Sequence, residues 1–315
     1  MLTVAVLVMA VVLVRCGFSG GDGGPVLTEE EIRVLASQRI DSTAVQSLAG
    51  DSTKVEYIPY ADSIDIKTVL DRLTAEAWIL VEDSSSLLIS AKNAHKRMFP
   101  ASLTKMMTGM IALEKGRMAD SIVITEDVFL AKDSRVRLGD GYLLGNIINE
   151  MLLLSDNDAA NAVAKNIGGD IPAFCRMMNE KAAYLNMDST HFANPNGMPN
   201  DSNYSTAHDL LVLARYCMRD TTFAKIVGTK FMDIPLIDRR HLPSQNTNRL
   251  LETYEGCIGV KTGYTRLAGY CLVSAAKRRG HTLFLVLLNS KSQASRFTES
   301  ATLLDYGFRI LDNKP

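Results

Sequence analysis

The stretch GYCLVSAAKRRGHTLFLVLL, Gly269 to Leu288, decides the architecture. Gly269 to Ala276 and Thr282 to Leu288 are two apolar runs of strand length, and the basic turn Lys277-Arg278-Arg279-Gly280 joins them as a hairpin. Far upstream, Ala77 to Val81 reads as another strand, with Ser86 to Ser90 as its partner across the polar turn Glu82 to Ser85. What lies between reads as helix: Pro100 to Gly116, with proline at its entrance and glycine at its exit, then Leu143 to Leu154, Ala159 to Ile167, Ile171 to Leu185 and Thr206 to Met218. A last helix runs from Arg296 to Tyr306. Strands at both ends with helices between them predict an α+β domain whose terminal strands meet in one antiparallel sheet.

The composition narrows the function. Of 315 residues, 47% are hydrophobic, which excludes disorder as the main state. Thirty-four basic residues against thirty-five acidic ones leave no broad cationic field for a nucleic acid, so none is expected as a partner. The cysteines Cys16, Cys175, Cys217, Cys257 and Cys271 form neither a disulfide scaffold nor a Cys-x-x-Cys pair. The five histidines form no His-x-x-x-His pair, so neither a metal nor a cofactor is expected.

Met1 to Val14 is apolar apart from Thr3, too short to span a bilayer as a helix and of the right size for an export signal. Residues 1–16 are therefore expected to be a signal peptide or N-terminal anchor, with lipidation of Cys16 disfavoured by Arg15 before it. Residues 17–72 are expected to be a linker or stalk, with Thr28 capping a short helix ahead of Glu31. Residues 73–311 are expected to be the catalytic domain, since dense patterning runs from Leu70 to Leu311 without a linker-like break or an internal repeat.

Three short motifs carry the chemistry. Ser102 and Lys105 stand three apart at the start of the Pro100 helix, which places hydroxyl and amine on one face, about a turn apart. An amine there can take the serine's proton. Ser155-Asp156-Asn157 follows the apolar Leu152-Leu153-Leu154 and precedes another helix, so a serine and an amide lie on an inter-helix turn. Lys261-Thr262-Gly263 ends the strand-like Ile258-Gly259-Val260, just before the final hairpin. Each motif alone is common, and a capping serine beside a snorkelling lysine is the ordinary reading of the first. Their order is what distinguishes them.

In that order they resemble the active-site motifs of the penicillin-binding proteins and serine β-lactamases. The surroundings, Phe99 to Thr108, Ala193-Asn194-Pro195-Asn196-Gly197, Tyr204 to Leu210 and Gly259 to Thr265, are similar to the low-molecular-weight D-alanyl-D-alanine carboxypeptidases, over roughly Ala75 to Leu311. The resemblance implies an antiparallel sheet flanked by helices with a helical subdomain. It also implies removal of the terminal D-Ala from peptidoglycan stem pentapeptides through an acyl-Ser102 intermediate, with β-lactam antibiotics as covalent inhibitors. Ser102, Lys105, Ser155, Asn157 and Lys261 are the expected catalytic set, and Thr262, Gly263, Tyr264 and Arg296 the expected substrate-binding one.

Physical chemistry gives those residues roles. A serine hydroxyl needs a base within about 3 Å, and a free lysine, titrating near 10.4, is almost wholly protonated at neutral pH. Burial would discharge Lys105, and Lys261 at ~4 Å and an effective dielectric of ~20 would add on the order of 4 kcal/mol against its charge. Ser155 is then expected to relay a proton to the leaving amine and Asn157 to hold the substrate backbone. The resemblance points to the N–H groups of Ser102 and Tyr264 as oxyanion donors, and to Thr262 and Arg296 as the grip on the free carboxylate. An ion pair between Arg296 and Glu299 is the bland alternative for the arginine.

Ser-Asp-Asn is the β-lactamase spelling of the middle motif, which makes a serine β-lactamase the rival. Those enzymes clear the acyl group with a glutamate some thirty-odd residues further on, and this sequence has none between Glu180 and Glu252. A non-catalytic wall-binding module is the other alternative, though such a module has no need of a base beside a buried serine. Many relatives continue into a β-rich domain and a C-terminal anchor; none is expected after Pro315. Any tether is then expected at the N-terminus, with the domain on the outer face of the cytoplasmic membrane.

Overall fold

The computed structural model describes residues 56–57, 66–131 and 134–312; the expected signal region, the Thr28 cap and most of the expected stalk lie outside them. In chain order the elements are β1 (Glu56–Tyr57), α1 (Ile66–Asp71), β2 (Ala77–Glu82), β3 (Leu87–Lys92) and a 3-10 turn (Ala101–Thr104) running into α2 (Lys105–Lys115). Next come β4 (Ser121–Val123), β5 (Gly141–Leu143), α3 (Leu144–Leu153), α4 (Asn157–Gly168), α5 (Ile171–Tyr184), α6 (Ala207–Cys217) and α7 (Thr221–Gly228). The chain closes with β6 (Phe231–Pro235), β7 (His241–Gln245), α8 (Leu250–Thr253), β8 (Cys257–Thr265), β9 (Gly269–Arg278), β10 (His281–Ser290) and α9 (Gln293–Asp312).

The main sheet has the order β1-β3-β2-β10-β9-β8, and every pairing in it is antiparallel. The two ends of the chain do meet: Leu285 of β10 lies opposite Leu80 of β2 and Ser274 of β9. The final hairpin is longer than its sequence suggests, turning only at Arg279 and Gly280. Its unbroken apolar run follows from burial on both faces. Phe284, Val286 and Leu288 pack with α2, α3, α4 and α6, whereas Leu283, Leu285 and Leu287 pack with Leu303, Leu304 and Phe308 of α9. Each such side chain contributes about 1.5–3 kcal/mol relative to exposure.

Two sequence expectations need correction. The stalk drawn to residue 72 ends earlier, because β1 pairs with β3 and Leu70 of α1 is fully buried against Trp78 and Leu80. The Pro100 helix begins as a 3-10 turn, with Ala101 at φ +49°, and becomes α-helical only at Lys105. The last helix, expected over Arg296 to Tyr306, runs from Gln293 to Asp312, and the other expected strands and helices are found within a few residues of their bounds. The hairpins β4–β5 and β6–β7 and the helix α7 were not anticipated. Among the described residues, no helix is long and apolar enough to cross a membrane.

Candidate active site

The 3-10 turn sets the first contact of the site. Residues three apart in a 3-10 turn eclipse one another, so Lys105 stands directly over Ser102, with Nζ 3.0 Å from Oγ. Lys105 is fully buried. Its Nζ also lies 2.8 Å from Oδ1 of Asn157, which opens α4, and 2.6 Å from the carbonyl oxygen of Asn196. Those two oxygens can only accept. A neutral amine has two N–H donors and one lone pair, so with both donors committed its lone pair faces the Ser102 hydroxyl, the one neighbour able to give up a proton. Burial holds the Lys105 amine down at about 7, and the Asp156 carboxylate pulls weakly the other way.

Lys261, on β8, is buried as well, and its Nζ donates to the carbonyl of Thr262 at 3.2 Å. Burial, then the charge of Lys105, then that of Arg296 hold it well below the ordinary lysine range. This revises the electrostatics expected from sequence, in which burial and Lys261 together were to discharge Lys105. Desolvation of Lys105 is the leading cause, and the repulsion between the amines falls on Lys261. The physical reason is that both side chains are sealed from water, a property that motif spacing does not encode.

The middle motif sits on the turn between α3 and α4. Ser155 adopts φ +70°, and its buried Oγ has no hydrogen-bond partner among the described residues. Asp156 caps α4, accepting from Ala159 N at 2.9 Å. The same carboxylate accepts from Ser134 Oγ at 2.9 Å and from Arg135 N at 2.7 Å. It fixes the turn rather than facing Ser102.

Gly263 lies where β8 passes the 3-10 turn: a Cβ there would stand 3.2 Å from Ser102 N. Close backbone approach puts the Ser102 N–H beside the Gly263–Tyr264 peptide. The Tyr264 ring is 52% exposed and stacks on Tyr270 with centroids 4.3 Å apart. Arg296 of α9 is buried, and its Nη1 donates to the carbonyls of Gly263 at 3.1 Å and Cys271 at 3.4 Å. It does not pair with Glu299, whose carboxylate instead accepts from Thr74 N and Oγ1, Ala75 N and Ser290 Oγ. Burial lowers the Arg296 guanidinium to about 10.

Three contributors were not singled out from sequence. Asn196 gives Lys105 its shortest contact, and its own Nδ2 donates to Asn161 Oδ1 at 2.9 Å. Gly197, at φ +83°, packs so closely that a Cβ would come 1.9 Å from the Ala101 carbonyl oxygen. Thr247 holds its hydroxyl 2.6 Å from that of Thr262, while its N–H donates to Leu153 O, two residues before Ser155. The Asn-Pro-Asn-Gly turn was the available signal for the first two; nothing local marks Thr247.

The serine, two buried lysines and an unpartnered second hydroxyl suit acyl transfer through a covalent serine ester. Comparison with known proteins agrees in kind. The sequence profile of a peptidase family described as D-alanyl-D-alanine carboxypeptidase matches residues 65–292. The D-alanyl-D-alanine carboxypeptidase DacF of Bacillus subtilis is 31% identical over 248 residues, covering 76% of this chain and 64% of that one. A D-alanyl-D-alanine carboxypeptidase of Mycobacterium tuberculosis is 32% identical over 243 residues, covering 75% of this chain and 83% of its own. The chain thus spans less than two thirds of the Bacillus relative's length and more of the mycobacterial one's. Among solved structures, a Streptomyces DD-transpeptidase superposes with a TM-score of 0.70 at 29% identity, covering 75% of this chain and 98% of its own. DacD of Francisella tularensis does so with a TM-score of 0.69 at 30% identity, covering 84% and 74%.

Proposed function

Because the chain belongs to the D-alanyl-D-alanine carboxypeptidase family of peptidases, we propose that it removes the terminal D-Ala from peptidoglycan stem pentapeptides through an ester at Ser102. The observation that carries this reading is the 3.0 Å contact between Ser102 Oγ and a buried Lys105 amine whose other two partners are acceptors.

In this reading Lys105 takes the hydroxyl proton as Oγ bonds to the carbonyl carbon of the penultimate D-Ala. The oxyanion forms against the N–H groups of Ser102 and Tyr264. The C–N bond then breaks, and the departing amine of D-Ala receives a proton through Ser155, whose hydroxyl is uncommitted. Water, deprotonated by Lys105, then attacks the ester carbonyl, and Lys105 returns that proton to Oγ as the C–O bond breaks, freeing the acid and regenerating Ser102. Asn157 holds the substrate backbone as well as Lys105. Burial keeps Lys105 uncharged, and burial together with the charge of Lys105 holds Lys261 below the ordinary lysine range. Thr262 meets the terminal carboxylate, and Arg296 supports that strand from behind through the Gly263 carbonyl. The enzyme acts outside the cytoplasm, where its polymer lies, delivered by the N-terminal signal.

Release of D-alanine from a diacyl-peptide ending in D-Ala-D-Ala tests the reading. Ser102→Ala is expected to lower turnover on the order of 10⁶-fold; equal release by the two proteins would leave only a binding role. A second reading, transfer of the acyl group to an amine rather than water, is favoured by the likeness to the Streptomyces DD-transpeptidase. Glycylglycine added to the same assay would then divert product into a new amide.

A further inference from the structure

Helix α3 carries Asn146, Glu150 and Leu153 at the four-and-three spacing that lines up one helical face. That face is bonded along the β6–β7 hairpin and the loop beyond it. Asn146 Nδ2 donates to the carbonyl of Pro235 at 3.0 Å, the Glu150 carboxyl meets the Ser244 hydroxyl, and the Leu153 carbonyl accepts from Thr247 N at 3.1 Å. The middle contact is sealed from water, for Glu150 and Ser244 are both fully buried. It ties together two parts of the site, since α3 leads to Ser155 and β7 leads to Thr247, whose hydroxyl touches that of Thr262.

Counting protons decides the state of this contact. Ser244 Oγ lies within hydrogen-bond reach of two groups, Oε2 of Glu150 and, at 3.1 Å, the carbonyl oxygen of Leu242. A carbonyl oxygen can only accept, and a hydroxyl has one proton. Both bonds are made in full only when Glu150 brings a proton of its own, which goes to Ser244 Oγ while the Ser244 proton goes to Leu242. Oε1 of Glu150 is buried too and has no partner among the described residues. An ionised carboxylate would leave half its charge on that bare oxygen, whereas in the acid it is an ordinary carbonyl.

The surroundings favour the acid. Burial holds the carboxyl up at about 7; the Ser244 hydroxyl and the Arg135 charge pull it down, and Asp156, at the head of α4, adds to burial. Arg135 is not bonded to it, its Nη1 donating to the Pro243 carbonyl at 2.7 Å. Of the other elements packed on α3, β5 presents the Tyr142 phenol and α2 the Lys105 amine, which is committed to Asn157 and Asn196. Asp233 of β6 and His241 of β7 pair with each other at the surface, and Lys225 of α7 is exposed.

We propose that Glu150 is a positioning residue working as a neutral acid: its O–H donates to Ser244 Oγ, and this bond fastens β7, with Thr247 after it, to the helix that leads to Ser155. Ionisation would turn the Ser244 proton to the carboxylate and release Leu242, so the tie between α3 and β7 lasts through the change. Its effect on substrate rests on the carboxypeptidase reading, in which Thr262 meets the terminal carboxylate.

Glu150→Gln keeps a donor toward Ser244 and a carbonyl in place of Oε1, while Glu150→Leu and Ser244→Ala remove the bond. In the infrared at about pH 6, the difference between wild type and Glu150→Gln is expected to show the C=O stretch of a protonated carboxyl. Between the ordinary value of 4.5 and about 7, the folded chain holds a proton that the unfolded chain has released. Stability from this group therefore falls as pH rises across that window, and Glu150→Gln should remove the fall. With a D-Ala-D-Ala peptide, Glu150→Leu and Ser244→Ala should each raise KM about fivefold with kcat nearly unchanged, the double variant no further than Glu150→Leu alone. Glu150→Gln should stay within about twofold of the wild type. An absent carboxyl band, or an unfolding profile that Glu150→Gln leaves as it was, overturns the neutral acid. A KM unmoved by both Glu150→Leu and Ser244→Ala, or raised as far by Glu150→Gln, overturns the positioning role. If the wild type releases no D-alanine, the carboxypeptidase reading fails, while the band and the unfolding profile, which need no substrate, still uphold or overturn the acid.

Discussion

The hydroxyls of Thr247 and Thr262 lie 2.6 Å apart, bridging the loop after β7 to the strand that carries Lys261. Two hydroxyls bring two protons, and the bond between them uses one. The other is left for a further acceptor. Thr247 is held by its flanking asparagines: Asn246 Nδ2 donates to Val227 O at 3.1 Å and to Thr229 O at 3.0 Å, and Asn248 Oδ1 accepts from Leu250 N at 3.2 Å.

Thr247→Val keeps the shape and removes the hydroxyl. KM for a D-Ala-D-Ala peptide is expected to rise about tenfold with kcat nearly unchanged, the size of one hydrogen bond to a charged group. Thr247→Ser should restore most of it. A C-terminal amide in place of the carboxylate should make the wild type and Thr247→Val alike, and a valine variant with unaltered KM would remove Thr247 from the carboxylate grip.

The pH profile should report Lys105. Its amine must be uncharged to accept the serine proton, so kcat/KM is expected to rise through about 7 and then level off. The stability sign runs the same way. Between about 7 and the ordinary value of 10.5, the unfolded chain holds a proton that the folded chain has released. Stability from this group therefore increases with pH across that window. Lys105→Met should flatten that part of the denaturation profile; an unchanged slope would mean that another group is responsible.

Gly197→Ala tests the backbone packing under the nucleophile. The residue sits at φ +83°, and the new Cβ would meet the Ala101 carbonyl oxygen at 1.9 Å, next to Ser102. A loss on the order of 2–4 kcal/mol is expected in denaturant unfolding, from strain and overpacking together. Acylation by penicillin should slow with it. Wild-type stability in this variant would show that the turn can move aside freely.

Penicillin should label Ser102 and remain for minutes or longer. The stretch thirty-odd residues past the middle motif, where a Ser-Asp-Asn β-lactamase carries its deacylating glutamate, reads His191-Phe192-Ala193-Asn194-Pro195 here. Intact-mass spectrometry over time reads the adduct directly. Its loss within seconds, with hydrolysed penicillin accumulating, would favour the β-lactamase alternative.

Local features could be read from the residues alone. The apolar runs at Ala77–Val81 and Gly269–Leu288 specified sheet strands, because side-chain pattern and turn chemistry act over a few residues. The order of Ser102-x-x-Lys105, Ser155-Asp156-Asn157 and Lys261-Thr262-Gly263 specified the chemistry, because those groups are what an acyl transfer needs. Burial of Lys105 is expected from sequence, but which groups enclose it follows from packing alone: Asn196, which completes its contacts, is 91 residues away. Folding likewise turned Arg296 toward the Gly263 carbonyl instead of Glu299 and brought Thr247 to Thr262. Burial and long-range contact are properties of the packed chain, and no periodicity in the sequence encodes them.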